Sequence, residues 1–241
     1  MASSTSALAE ARLIGREQEL KELEALLECA PAVVTVAAQP GMGKSAVVKA
    51  FSELCRAKGW TVMGPSPGEA PLVGSRTTKE QFLARIGQLL NSIDTAGRVS
   101  TSSSSLASAS AMPRNERRLL AQVVALARLA PAVLIIEDFD ADLRFAGWFD
   151  RGFLTDVTGC KRHVIVLLTG QPADLAHLEH VDAAVTLGPL DESAVRARFE
   201  QIGSRLRPRP EPKELAEYVR KASKSPSLMT SLAVVLALAE A

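Results

Sequence analysis

The chain has 241 residues, room for one large domain or a domain with a small appendage, which excludes a multidomain machine. Hydrophobic residues make up 47% and charged residues 23%, a globular composition that excludes wholesale disorder. With 28 basic against 27 acidic side chains the net charge is +1, so no global field draws the chain toward nucleic acid or an anionic membrane.

Residues 1–9 are Ser- and Ala-rich without basic residues or an apolar stretch, which argues against a signal peptide, and 1–12 read as a flexible leader. Over residues 16–29 the leucines at 20, 23, 26 and 27 repeat at helical spacing. A β-branched run at 31–37 predicts a strand. The segment AQPGMGKS follows it, and then Val47, Val48, Phe51, Leu54 and Cys55 line one helical face. Residues 60–64 read as a second strand, 65–75 as a turn-rich connector and 78–93 as a helix. The Ser-rich stretch within 98–112 can bury almost nothing, which predicts a mobile loop. Leu119, Leu120, Val123, Leu126 and Leu129 mark a helix before a strand at 132–136, which ends in Glu-Asp-Phe-Asp. Phe145, Trp148, Phe149 and Leu154 mark another helix, 163–169 a fourth strand and 182–187 a fifth.

Alternating strands and helices predict a parallel sheet, and an aromatic content of only 4% predicts an aliphatic core between helical layers. After Pro189 the pattern becomes three helices, at 192–202, 212–222 and 227–240, so the reading is a core over 13–188 and a helical appendage over 189–241. The last helix is apolar but too short to span a bilayer. Cys29, Cys55 and Cys160 are widely spaced and odd in number, which signals neither a disulfide framework nor a zinc site and fits the cytoplasm.

The chemistry is concentrated where the first strand runs into Pro40, Gly41, Met42, Gly43, Lys44 and Ser45. Gly41 and Gly43 let main-chain amides wrap phosphate oxygens, and the helix N-terminus adds N–H groups and a positive dipole end. Lys44 suits the β- and γ-phosphates, and the Ser45 hydroxyl suits Mg²⁺. Ala38 stands where the usual motif opens with glycine, which is tolerable if its φ is negative. Glu137 holds the first acidic position after the third strand, as a candidate partner of the metal. Asp138 holds the next, a position suited to orienting an attacking water, and Asp140 is a third candidate. The pair reads Glu-Asp in place of the commoner Asp-Glu. A shorter arm at the water-orienting position predicts slow turnover. Thr169, at the end of the fourth strand, is the candidate sensor of the γ-phosphate.

Together these residues resemble the STAND class of signal-transducing P-loop ATPases, relatives of AAA+ proteins, over about residues 13–238. RLIGREQELKELEALL is similar to the class segment that precedes the first strand, which implies that Ile14 and Gly15 lie against adenine. AQPGMGKS and VLIIEDFD resemble its phosphate loop and second acidic motif. KSPSLM resembles the turn of the helical lid, which implies that Pro226 packs on the base. The resemblance implies an α/β P-loop NTPase with five parallel strands in the order 5-1-4-3-2, a C-terminal helical lid, and ATP or ADP with Mg²⁺ as ligands.

Relatives often carry an arginine where Gln171 stands, and glycines where Ser223 and Ser225 flank the lid proline. Neither Arg144 nor Arg151 is placed as a finger on a neighbouring subunit, so a ring-type motor is not expected. Members of the class continue into winged-helix, sensor and effector domains, which implies a fragment or separate protein partners acting through the lid. The reading is a slow ATPase serving as a signalling or assembly switch. Its alternatives are a scaffold that holds nucleotide without hydrolysis, and a DNA-associated AAA+ ATPase suggested by VLLTGQP and the basic run at 205–213. A small-molecule kinase is the least favoured, because no second substrate pocket is signalled.

Overall fold

A computed structural model describes residues 15–64, 71–96, 130–159, 163–203 and 212–224. Five aliphatic runs form strands β1 (Ala32–Ala38), β2 (Thr61–Met63), β3 (Ala132–Ile136), β4 (Val164–Gly170) and β5 (Ala183–Leu187). All neighbouring pairs are parallel, in the order β2-β3-β4-β1-β5. This is the expected order, read from the opposite edge.

Every residue of β3 and β4 is buried, because helices cover both faces of the sheet. Side chains alternate between those faces along each strand. Leu134, Ile136, Val166 and Leu168 join one core, while Val34, Val36, Val133, Ile135, Ile165 and Leu167 join the other. The second core is closed by α1 (Glu17–Leu26), a 3-10 turn at Leu27–Cys29, and α2 (Lys44–Ala57). In α2 the buried residues Val47, Val48, Phe51 and Cys55 fall on one stripe. Burial pushes the Cys55 thiol up to about 12, which leaves it an inert apolar filler.

The first core is closed by α3 (Lys79–Ala96), α4 (Leu143–Trp148), a π turn at Phe149–Leu154, α5 (Thr155–Gly159) and α6 (Pro172–Leu175). Asp142 starts α4 by accepting hydrogen bonds from the Arg144 and Phe145 amides at 2.9 and 2.8 Å. Phe82 of α3 meets Phe145, Trp148, Phe149 and Phe153 edge-on, with ring centroids 5.0–6.0 Å apart.

The sequence reading has one uninterrupted helix here, whereas the structure widens it by a π turn that also buries Asp150. Burial alone would raise this carboxyl. Hydrogen bonds from the His180 amide at 3.0 Å, the His180 ring at 3.0 Å and the Glu179 amide instead hold it below the usual range. The pair ties the helix to the segment leading into β5. There the Asp182 carboxylate accepts the Val33 amide at 2.7 Å and seats β5 against β1.

Beyond β5, α7 (Glu192–Gly203) and α8 (Pro212–Lys224) pack on each other. Their small core of Leu190, Val195, Val219 and Ala222 is separate from the two sheet cores. No helix among the described residues is long and apolar enough to cross a membrane. The expected leader at 1–12, the Ser-rich loop at 98–112, the helix carrying Leu119 to Leu129, and the apolar helix at 227–240 lie outside the described residues. So do Ile14, Cys160, Ser225 and Pro226.

Candidate nucleotide site

Strand register brings the phosphate loop and the acidic motif together. Val36 of β1 lies opposite Thr169 of β4, and Ile136 of β3 lies opposite Leu168, so the carboxyl ends of three adjacent strands open on one edge. Ala38 ends β1 opposite Leu187. Among described non-glycine residues only Asp138 has a positive φ, so Ala38 meets the condition set for an alanine there.

The Met42 amide closes the loop by donating to the Gln39 carbonyl at 3.2 Å. Gly41 and Gly43 adopt left-handed φ of 81° and 89°. A Cβ on Gly43 would meet nothing within 4 Å, so glycine is required there by dihedral angle rather than by crowding. Gly43 caps α2 with no side-chain hydrogen bond, which leaves the first amides of the helix to an external acceptor. The Lys44 side chain, 11% exposed, folds back with Nζ 3.4 Å from the Ala38 carbonyl and 3.6 Å from Asp138 Oδ1.

The Ser45 hydroxyl lies beside the Glu137 carboxyl and favours its charged form. Burial nevertheless pushes the Glu137 carboxyl above the usual range, and the charge of Asp138 adds to this. Asp138 is exposed, with a left-handed φ of 49°. Its amide donates to Thr169 Oγ1 at 3.0 Å, and the next amide, of Phe139, donates to the Thr169 carbonyl at 2.6 Å. Gly170 permits this approach, because a Cβ there would sit 3.0 Å from the Phe139 carbonyl. Asp140 is exposed beyond the lock.

Glycines that bare the loop amides, an ammonium, a hydroxyl and a carboxylate form a donor set that fits a nucleotide polyphosphate with Mg²⁺. The raised Glu137 carboxyl also has a thermodynamic sign. The folded chain holds this proton more tightly than the unfolded chain, so the contribution is favourable at low pH and is lost as pH rises through the raised value. Glu137→Gln is therefore expected to raise the Tm of the nucleotide-free protein at neutral pH. The gain should shrink as pH falls into the ordinary carboxylate range, and paired melting curves across pH check it.

Gly15 lies at the appendage instead of among these groups. A Cβ on it would come within 2.9 Å of Ala194 Cβ and 3.1 Å of Leu190 Cδ2. Gln171 starts α6, and exposed Arg151 pairs with Glu179 at 3.3 Å. Arg16 was not singled out by sequence. It is only 5% exposed, and its guanidinium reaches Glu19, the Met42 carbonyl and the Gly188 carbonyl. Its sequence signal is the segment RLIGREQELKELEALL, which sets Arg16 directly after Gly15 and three residues before Glu19.

A parallel sheet of this order, with a phosphate loop after β1 and acidic residues after β3, defines a P-loop NTPase of the AAA+ type. Residues 12–167 match the AAA ATPase domain, and the chain belongs to that family. No curated protein sequence matches it. Three solved structures share the fold. A Walker-type ATPase of Pyrococcus abyssi is 15% identical with a TM-score of 0.64, over 90% of this chain and 66% of that one. Cdc6p from Pyrobaculum aerophilum is 19% identical with a TM-score of 0.51, over 78% and 48%. A STAND protein with a tetratricopeptide repeat sensor from Pyrococcus horikoshii is 16% identical with a TM-score of 0.51, over 89% and 28%. The chain thus spans less than two thirds of each of these proteins.

Proposed function

We propose that the chain is a slowly hydrolysing, ATP-operated switch of the STAND type. The observation that carries this reading is the meeting of Lys44 with Asp138, at 3.6 Å, where the phosphate loop after β1 faces the acidic motif after β3. Lys44 would exchange its contact with Asp138 for the β- and γ-phosphates, held also by the amides of the loop from Pro40 to Ser45. Ser45 and Glu137 would hold Mg²⁺, directly or through water, and the ion would neutralise phosphate charge. Asp138 would orient the attacking water, with its main chain held by Thr169. Thr169 is fully buried and already accepts the Asp138 amide, so its effect on the γ-phosphate runs through Asp138.

Residues 189–241 are the lid of this proposal, with Gly15 at its seam with the core. Nucleotide bound between sheet and lid would favour the docked lid, and hydrolysis would release it. Partners would be read through the lid or through domains such as the repeat sensor of the Pyrococcus horikoshii protein.

Calorimetry with MgATP and MgADP, followed by phosphate release over hours, tests the reading. Binding of both nucleotides with turnover below ~1 s⁻¹, the low end of usual enzyme rates, is expected. A chain that binds neither overturns it. Binding with no phosphate release would favour the scaffold, a reading supported by the contact that ties Asp138 to Lys44.

A further inference from the structure

We infer that Arg16 is a positioning residue that couples the shape of the phosphate loop to the seating of the helices after β5, an inference that rests on the switch reading above. A buried guanidinium is costly unless it is paired and its N–H groups are used. Glu19 supplies the pairing at 2.7 Å through Nη1. Nη2 is shared between two carbonyls from different parts of the fold. One belongs to Met42, inside the phosphate loop, at 3.1 Å. The other belongs to Gly188, directly after β5, where the chain leaves the sheet for α7. No other described side chain has a hydrogen bond to both segments.

The connection continues by packing and hydrogen bonding. Gly15, next to Arg16, faces Ala194 of α7 so closely that a Cβ would meet its side chain at 2.9 Å. The Leu190 amide, two residues past Gly188, donates to the Ser223 carbonyl of α8 at 3.1 Å. A shift of the Met42 carbonyl, which lies between the two left-handed glycines that shape the loop, therefore changes one of the two acceptors that hold Nη2. Arginine fits this task because a rigid fork serves several acceptors at once, whereas a lysine ammonium is a point donor on a flexible stem.

The test compares wild type with Arg16→Lys by amide hydrogen exchange, with and without saturating MgATP. In wild type, MgATP should slow exchange both in the phosphate loop and over 192–203 and 212–224. In Arg16→Lys the phosphate loop should still respond, with MgATP affinity about tenfold weaker, or about 1.4 kcal/mol. The slowing over 192–203 and 212–224 should fall to less than half of the wild-type effect. A merely structural arginine would lower Tm without separating the two responses. Glu19→Gln keeps the guanidinium but loosens it, and should show the same separation in weaker form, so it decides the matter if Arg16→Lys does not fold. A wild-type response of both regions that the variants reproduce overturns the coupling alone. A wild type that binds MgATP with no response over 192–224 overturns the switch and the coupling together, and one that binds no nucleotide overturns the site assignment as well.

Discussion

Lys44→Ala is expected to weaken MgATP binding about 150-fold while leaving the nucleotide-free fold at least as stable as wild type. A hydrogen bond to a charged group is worth about 1.5–3 kcal/mol, and phosphates bound by Lys44 stand at the upper end because the amine is largely shielded from water. At about 1.4 kcal/mol per decade, 3 kcal/mol gives the stated factor. The unliganded protein loses little. Lys44 is the first residue of α2, so its positive charge sits at the positive end of the helix dipole. Its ion pair with Asp138 spans 3.6 Å to a carboxylate that is 70% exposed, and such pairs contribute little. Alanine also has the better helix propensity. Calorimetry gives the affinity, and melting curves without nucleotide give the stability. Unchanged affinity would remove Lys44 from the phosphate site and, with it, the basis of the proposed function.

The parts of the fold that are local in sequence were legible there. β3 and β4 are buried on both faces, so each appears as a continuous apolar run, and the expected bounds lie within a residue of those observed. α1 and α2 carry leucine and valine stripes that no strand would produce. α6 has four residues, too few for any period to show in the sequence. The π turn after α4 was invisible because Phe145, Phe149 and Phe153 fit a 3.6-residue period whether or not the helix widens.

The candidate site divides in the same way. Lys44, Ser45, Glu137 and Asp138 belong to short segments whose residue types and spacing point to phosphate chemistry. The contacts that shape those segments join distant positions. Arg16 reaches Met42 and Gly188, and the Asp138 amide reaches Thr169. Each required residue is common, and only the folded register of β1, β3 and β4 brings it to its acceptor. Gly170 is another such case, since its need for a bare Cα arises from the Phe139 carbonyl of a different strand end.

Asp138→Asn is expected to lower phosphate release roughly 100-fold while MgATP binds at least as tightly, because a positioned base contributes about 10²–10⁴-fold and asparagine cannot accept the water's proton. Tightness should not suffer, since the substitution removes a negative charge from beside the phosphates. Burial is the main cause of the raised Glu137 carboxyl and the Asp138 charge a smaller one, so the substitution leaves Glu137 somewhat more readily ionised for Mg²⁺. Asparagine also tolerates a left-handed φ of 49° as aspartate does, so Tm should stay near wild type. Asp138→Ala provides the contrast. It too should lose turnover, but alanine pays the left-handed penalty of about 1 kcal/mol and should melt earlier. Single-turnover phosphate release and melting curves on the two variants separate chemistry from backbone conformation. Wild-type turnover by Asp138→Asn would move the water-orienting role to Glu137 or Asp140. It would also leave the lock between the Asp138 amide and Thr169 with a structural purpose alone.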